Sequence, residues 1–273
     1  MTDRKENVAP GVLIERQETV ATITLNRPDT FNSVSDDSMR DALVGALDEL
    51  AADGLTRAVV LTGNGVAFCA GGNVKAWKKP GGFALNPPYK NVGDYKSGIH
   101  QIPLAFERFP LPIICAINGA AIGAGCDIAC MCDIRIASAN AYFALAFAKM
   151  GLVPGDGGAW FLPRIVGRSK AREMLFTGDK VGAEEALSIG LVSKVVSPEK
   201  LLEVAVAMAQ RIAANSPPAI RMTKQLLNES EEATLATVLT LSAAMQSVLH
   251  STDDHHEAIA AFVEKRPAKF TGK

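Results

Sequence analysis

Pro112-Ile113-Ile114-Cys115-Ala116-Ile117-Asn118-Gly119-Ala120-Ala121-Ile122-Gly123-Ala124-Gly125-Cys126-Asp127 is the stretch on which the fold turns. Up to Asn118 it reads as a buried strand, an apolar run closed by Asn-Gly. Gly119–Gly123 then predicts a turn, and a helix is expected from about Ala124 to Met131. A strand running through glycines into a helix is the unit from which α/β folds are assembled. At such a turn the first N–H groups of the helix lack intrahelical partners and carry a partial positive charge, so the motif offers main-chain donors rather than a charged side chain.

A second unit of the same kind lies upstream. Ala58–Thr62 (AVVLT) predicts another buried strand, and it runs into the glycine-rich loop Gly63–Asn73. Downstream, Asp133–Ser138 (DIRIAS) predicts a third. At the start, Val12–Arg16 and Val20–Leu25 have the spacing of a hairpin across Gln17-Glu18-Thr19. Asn26-Arg27-Pro28-Asp29 ends that run. Ser35-Asp36-Asp37 can cap a helix reaching about Ala52, with Met39, Leu43, Leu47 and Leu50 on one face. Residues 76–97, rich in Lys, Gly, Pro and Asn, read as a mobile surface loop beside whatever the glycine loop binds, and a helix is expected over Ser97–Phe109. From Ser197 the pattern changes to helical periodicity, over Leu201–Ala213, Ala219–Leu227, Ala233–Leu249 and Glu257–Val263. The chain thus divides into an α/β body over 1–196 and a helical region over 197–273. No internal sequence repeat is visible.

Composition narrows the function. The 273 residues carry 28 Lys+Arg against 29 Asp+Glu, a net charge of −1, which lacks the electrostatic footprint of a dedicated nucleic-acid binder. With 48% hydrophobic and 21% charged residues the chain has the make-up of a globule rather than of a disordered segment. The opening MTDRKENVAP has no apolar core of a signal peptide. The long uncharged run Phe109–Cys126 is broken by Pro110, Pro112, Asn118 and glycines, so no membrane span is expected. Five cysteines, three of them (Cys126, Cys130, Cys132) crowded into an apolar stretch, do not form a disulfide framework, and a cytoplasmic location is expected.

Several chemistries fail on spacing. Gly123-Ala124-Gly125-Cys126-Asp127-Ile128 begins like a dinucleotide loop but has Ile128 where the third glycine belongs, and no ribose-binding acid follows at the right distance. No phosphate-binding G-x-x-x-x-G-K-[ST] and no G-x-S-x-G nucleophile elbow occurs. His100, His250, His255 and His256 have no metal-ligand partners at suitable spacing, the cysteines match no zinc pattern, and no metal is expected. Two glycine loops facing each other can instead bind one oxygen that becomes negative during a reaction.

Taken together, several motifs resemble the crotonase superfamily of enoyl-CoA hydratases and isomerases. They are Phe68-Cys69-Ala70-Gly71-Gly72-Asn73-Val74, Asn118–Asp127, Cys132-Asp133-Ile134-Arg135-Ile136-Ala137, Gly151-Leu152-Val153-Pro154 with Leu162-Pro163-Arg164, and Ala261-Phe262-Val263-Glu264-Lys265-Arg266-Pro267. Leu25-Asn26-Arg27-Pro28 fits as well, and the resemblance runs through nearly the whole chain in family order. It implies a crotonase-like spiral of ββα units followed by a helical trimerisation region, with a homotrimer or a dimer of trimers. It implies an acyl-CoA substrate, with no cofactor beyond the coenzyme A that the substrate carries. The thioester oxygen would lie between the backbone N–H groups of Gly72 and Ala124. Ala70, Asn73, Val74 and Lys75 would border coenzyme A, with Lys75 a candidate partner for its phosphates and equally readable as a solvated surface lysine.

The resemblance also locates the acid/base groups. Hydratases of this family hold one water between two glutamates. The first falls on Asp127, which keeps an acid there, although an aspartate in the first turn of a helix also complements the helix end. The second falls on Phe147, which transfers no proton and makes its side of the pocket apolar, raising the pKa of a nearby carboxyl. Isomerisation, which needs one base to take and return a proton, survives that loss better than two-carboxylate hydration. Some relatives use an aspartate where this chain has Gly155; Asp156 is one residue on and is the second acid/base candidate, though aspartate among glycines is equally ordinary turn chemistry. The alternative to an enzyme is an acyl-CoA-binding homologue with little catalysis, serving as a scaffold or in RNA contact. Trp77 and Tyr89 are candidates to cover an acyl chain or adenine, or simply to anchor their loop.

Overall fold

The apolar runs become strands buried on both faces. In the computed structural model, which describes residues 11–35, 37–77 and 86–273, β1 (Val12–Gln17) and β2 (Val20–Leu25) form the expected antiparallel hairpin, with Val12 opposite Leu25. The first ten residues, Asp36 of the expected cap, residues 78–85 of the expected loop and the side chain of Trp77 lie outside the described residues. Helix α1 (Asp37–Ala52) buries Met39, Leu43, Leu47 and Leu50, the face that periodicity picks out. β3 (Ala58–Gly63) pairs in parallel with β2.

After β3 the chain makes a short strand, β4 (Ala67–Cys69), then α2 (Val74–Trp77), α3 (Pro88–Ser97) and α4 (Gln101–Arg108). Next come β5 (Ile113–Ile117), β6 (Ala120–Ile122) and α5 (Ala124–Met131), then β7 (Ile134–Ser138), β8 (Tyr142–Ala144) and α6 (Gly158–Thr177). β9 (Val181–Gly182), α7 (Ala183–Ser188) and β10 (Lys194–Val196) end the body. The strands sort into two sheets, ordered β1-β2-β3-β5-β7-β10 and β4-β6-β8-β9. Three successive turns of the chain, beginning at β3, β5 and β7, therefore give one strand to the large sheet, one to the small sheet, and then helix. This is the spiral of ββα units: the backbone repeats although the sequence does not.

Both faces of the large sheet are covered. Val59, Leu61, Ile113, Cys115 and Ile117 join the main core between the sheets and helices. Their neighbours Ala58, Val60, Ile114 and Ala116 pack against Leu201, Ala205, Ala209 and Ala213 of α8 (Leu201–Ala213). Small residues four apart make a flat helix stripe that lies close against the sheet, so β3 and β5 are continuously apolar rather than alternating. Helices α9 (Pro217–Ser230), α10 (Leu235–His250) and α11 (Asp253–Glu264) complete the chain. Thr234 and Thr252 cap α10 and α11 by accepting from Thr237 N–H and His255 N–H. The buried carboxylate of Asp254 ties the C-terminal strand down by accepting from the N–H groups of Thr271 and Gly272.

Three expectations change, and a further helix has a break within it. Pro88–Ser97 of the expected loop is helix α3, which buries no side chain and so has no apolar stripe to betray it. The helix expected over Ser97–Phe109 begins only at Gln101, after a corner at Gly98. The expected turn Gly119–Gly123 contains strand β6, and the glycine loop contains β4. Both are three residues long, too short for a period to show. Finally, α6 is two helical segments meeting at Gly167, whose φ of 76° interrupts them. Among the described residues no helix is long and apolar enough to cross a membrane.

Candidate active site

β4 and β6 lie parallel in the small sheet, which brings the two glycine loops together main chain to main chain. The contact leaves no room for a Cβ. One built on Gly125 would sit 2.0 Å from the Cys69 carbonyl oxygen, and one on Gly119 2.1 Å from that of Val66. At Gly71, whose φ is +73°, a Cβ would stand 2.5 Å from the Ile122 oxygen and 2.9 Å from the Ala124 nitrogen. Asn32, buried and itself left-handed at φ 57°, clamps the first loop through its Nδ2, which donates to the carbonyls of Asn64, Ala67 and Phe68.

This packing assigns most main-chain donors in the loops. Gly71 N–H goes to Cys69 Sγ at 3.4 Å, Gly123 N–H to Ala144 O at 2.8 Å, and Asn73 N–H to Ser35 Oγ. Gly72 and Ala124 sit between these engaged groups, and both line a cavity of about 750 Å³, with Ala124 the first residue of α5. Ala70 and Val74 line it too. Asn73 and Lys75, expected beside them, are exposed and are not on its wall.

Phe147 stands on the cavity wall, its ring against Gly123, in an apolar section shared with Ile122, Ala146, Met150 and Leu152. Three carboxylates also line the cavity: Asp37, Asp94 and Asp156. Asp37 is paired with Arg40 at 2.7 Å, and Asp94 accepts from Asn86 at 3.3 Å. Asp156 lies within electrostatic reach of Cys69 and Asp127, at the bases of the two glycine loops. Burial pushes its pKa up to about 6, opposed by the imidazole of His100.

Asp127 is placed differently from its expectation. It is wholly buried, it is not on the cavity wall, and among the described residues neither carboxyl oxygen is held by a well-formed hydrogen bond. Its carboxyl lies against the main chain of Gly158, where a Cβ would approach to 2.3 Å. Burial holds its pKa well above the usual carboxylate range, the negative potentials of Cys130 and Asp156 add to this, and the Gly158 N–H offsets only part of it. Burial of this kind favours the protonated form. Tyr89 is exposed and off the wall, whereas Tyr95, Arg40 and Asp37, which no motif singled out, are on it. They come from α1 and α3, helices on either side of the first glycine loop that carry no motif for the site, and only the fold reveals them. All five cysteines are free and buried; burial pushes Cys69 up to about 12. Among the described residues no three His, Cys, Asp or Glu side chains group as metal ligands.

A fold of two stacked sheets wound from ββα units, with glycine loops meeting at a cavity, defines a crotonase-type chain. The model of the family described as enoyl-CoA hydratase/isomerase matches residues 15–273. The chain is 36% identical to the short-chain-enoyl-CoA hydratase of Clostridium acetobutylicum, over 94% of this chain and 95% of that one. It is 35% identical to the 1,2-epoxyphenylacetyl-CoA isomerase of Escherichia coli, over 96% and 98% of the two chains. The crystal structure of an enoyl-CoA hydratase from Mycobacterium smegmatis superposes with a TM-score of 0.88 at 35% identity, covering 96% of this chain and 99% of that one. The chain belongs to the enoyl-CoA hydratase/isomerase family, and it is an enzyme of that family.

Proposed function

We propose that the enzyme moves the double bond of an enoyl-CoA, with Asp156 as the single proton carrier. The supporting observation is Asp156 itself: a carboxyl on the cavity wall, poised near neutrality, where the second glutamate position is filled by Phe147. The N–H groups of Gly72 and Ala124 hold the thioester oxygen. Asp156 removes a proton from the α carbon of a 3-enoyl thioester, and the electrons pass to the oxygen as a dienolate. The same proton returns to the γ carbon, giving the 2-enoyl thioester and regenerating the carboxylate. No atom is gained or lost, and the reaction draws on no cofactor beyond the coenzyme A of the substrate. Asp127, buried and off the wall, is not the base in this scheme. An acid/base group inside the cavity also disfavours the reading of a binding protein with little catalysis.

The test compares two reactions of one enzyme. With trans-3-hexenoyl-CoA, isomerisation is followed by the ultraviolet absorbance of the conjugated thioester; with crotonyl-CoA, hydration is followed by its loss. General acid/base groups contribute about 10²–10⁴-fold each, so lacking the second carboxylate should leave isomerisation at least about 10²-fold faster than hydration. Hydration faster than isomerisation would overturn the proposal.

The same reading extends to assembly. Helix α10 is apolar yet buries no residue within one chain, and Leu235, at 74% exposed, lies beyond the body with Phe262, at 85%, and Val263. Apolar surface of this kind marks a protein interface. We propose that residues 197–273 join copies into a trimer or a dimer of trimers, in the cytoplasm, where free buried cysteines stay reduced. Light scattering should give three or six times the 28.8 kDa of one chain; a monomer would remove the proposal.

A further inference from the structure

The segment that carries Asp156 is docked on a corner of the helical layer. Between α3 and α4, His100 points its Nε2 at the Gly155 carbonyl oxygen, 2.9 Å away. A carbonyl only accepts, so Nε2 carries the hydrogen, and the ring donates to the peptide that leads directly into Asp156. Tyr95, one turn earlier on α3, lies against the α carbon of Gly155: a Cβ there would stand 3.2 Å from the ring. The two rings brace each other, with centroids 5.6 Å apart and planes at 49°. Their corner is tight because Gly98 brings its own α carbon onto the Asp94 carbonyl, where a Cβ would come to 2.3 Å.

The electrostatic surroundings of Asp156 are one-sided. Tyr95 faces it from α3, Cys69 from β4 and Asp127 from α5, and negative charge on Asp156 pushes the pKa of all three upward. The His100 imidazole acts in the opposite sense, favouring the carboxylate. Hydrogen bond and charge reach the same two residues from one ring.

We propose that His100 is a positioning residue that holds the Gly155–Asp156 peptide in place and sets the surroundings of the Asp156 carboxyl. This rests on the assignment of Asp156 as the proton carrier. His100 has no contact with the reacting atoms in this scheme; it acts through Asp156.

The experiment uses the full-length enzyme and two substitutions. His100→Gln retains an N–H donor for the Gly155 carbonyl and removes the imidazole ring; His100→Leu removes both. The Asp156 carboxyl is titrated by carbon-13 NMR, its signal identified by its loss in Asp156→Asn. The pH profile of kcat/KM is measured with trans-3-hexenoyl-CoA. In the parent enzyme the signal titrates near 6. In His100→Gln it should titrate higher, and the acid limb of kcat/KM should rise with it, each unit costing about tenfold in ionised carboxylate below the midpoint. His100→Leu should lower the high-pH rate further than His100→Gln does. An Asp156 titration unchanged in His100→Gln would overturn the inference. If instead Asp156→Asn kept full activity, the role of Asp156 would fall, while the titration would still decide whether His100 governs its charge.

Discussion

Asp156→Asn should lower kcat/KM for 3-enoyl-CoA isomerisation by about 10²–10⁴-fold, the contribution expected of a general base. The substitution keeps the shape of the side chain and removes only its ability to take a proton, so acyl-CoA affinity measured by calorimetry should stay within about threefold, well under the 1.4 kcal/mol of a tenfold change. The sign with pH follows from the raised pKa. A carboxyl that titrates near 6 is a base above that pH and a bound acid below it, so kcat/KM should fall as pH drops through 6. Asp127→Asn is the informative companion. That carboxyl is buried and off the cavity wall, burial favours its protonated form, and the amide resembles that form in size. A large loss of turnover in Asp127→Asn, with Asp156→Asn unimpaired, would transfer the base to α5 and refute the assignment.

Gly71→Ala should cost about 10²–10³-fold in kcat, the loss seen when one oxyanion donor is displaced. The new methyl group would need the space of the Ile122 oxygen, 2.5 Å away, and of the Ala124 nitrogen, 2.9 Å away, in a backbone held at φ +73°. The loops must part, and one of the proposed donors moves with them. Left-handed backbone alone costs an L-residue about 1–2 kcal/mol, so the melting temperature should fall as well. Gly93→Ala is the control: it lies exposed in α3 with nothing within 4 Å of a new Cβ, and replacing a helical glycine should stabilise by up to about 1 kcal/mol. Equal kcat in Gly71→Ala and the parent would show that the thioester oxygen is not held between these loops.

The legible parts of the fold are those in which neighbouring residues report a shared environment. Ala58–Leu61 of β3 and all of β5 are apolar because α8 covers one face and the main core the other, and α1 shows its stripe because only one face is buried. β4, β6 and α3 have no such internal evidence. The first two are three residues long, and the third buries none of its side chains, so tertiary pairing rather than local pattern makes them. In the site, Gly72, Ala124, Phe147 and Asp156 come to one cavity as motif order suggests. The depth of Asp127 was not legible, because an aspartate in a first helical turn reads the same whether it faces a pocket or the back of Gly158. Nor was the meeting of His100 with Gly155, which are brought together from different turns of the spiral by a corner at Gly98.

The glycine contacts at positions 71, 119 and 125 separate two kinds of specification. What they encode is an absence of side chain, and the donors they position belong to the peptide backbone, common to every residue. The close approach of the two loops is therefore specified by what is missing at these positions, not by side chains at 127, 147 or 156. Substitution at those three positions changes the chemistry offered to the cavity and leaves the main-chain contact of the loops in place.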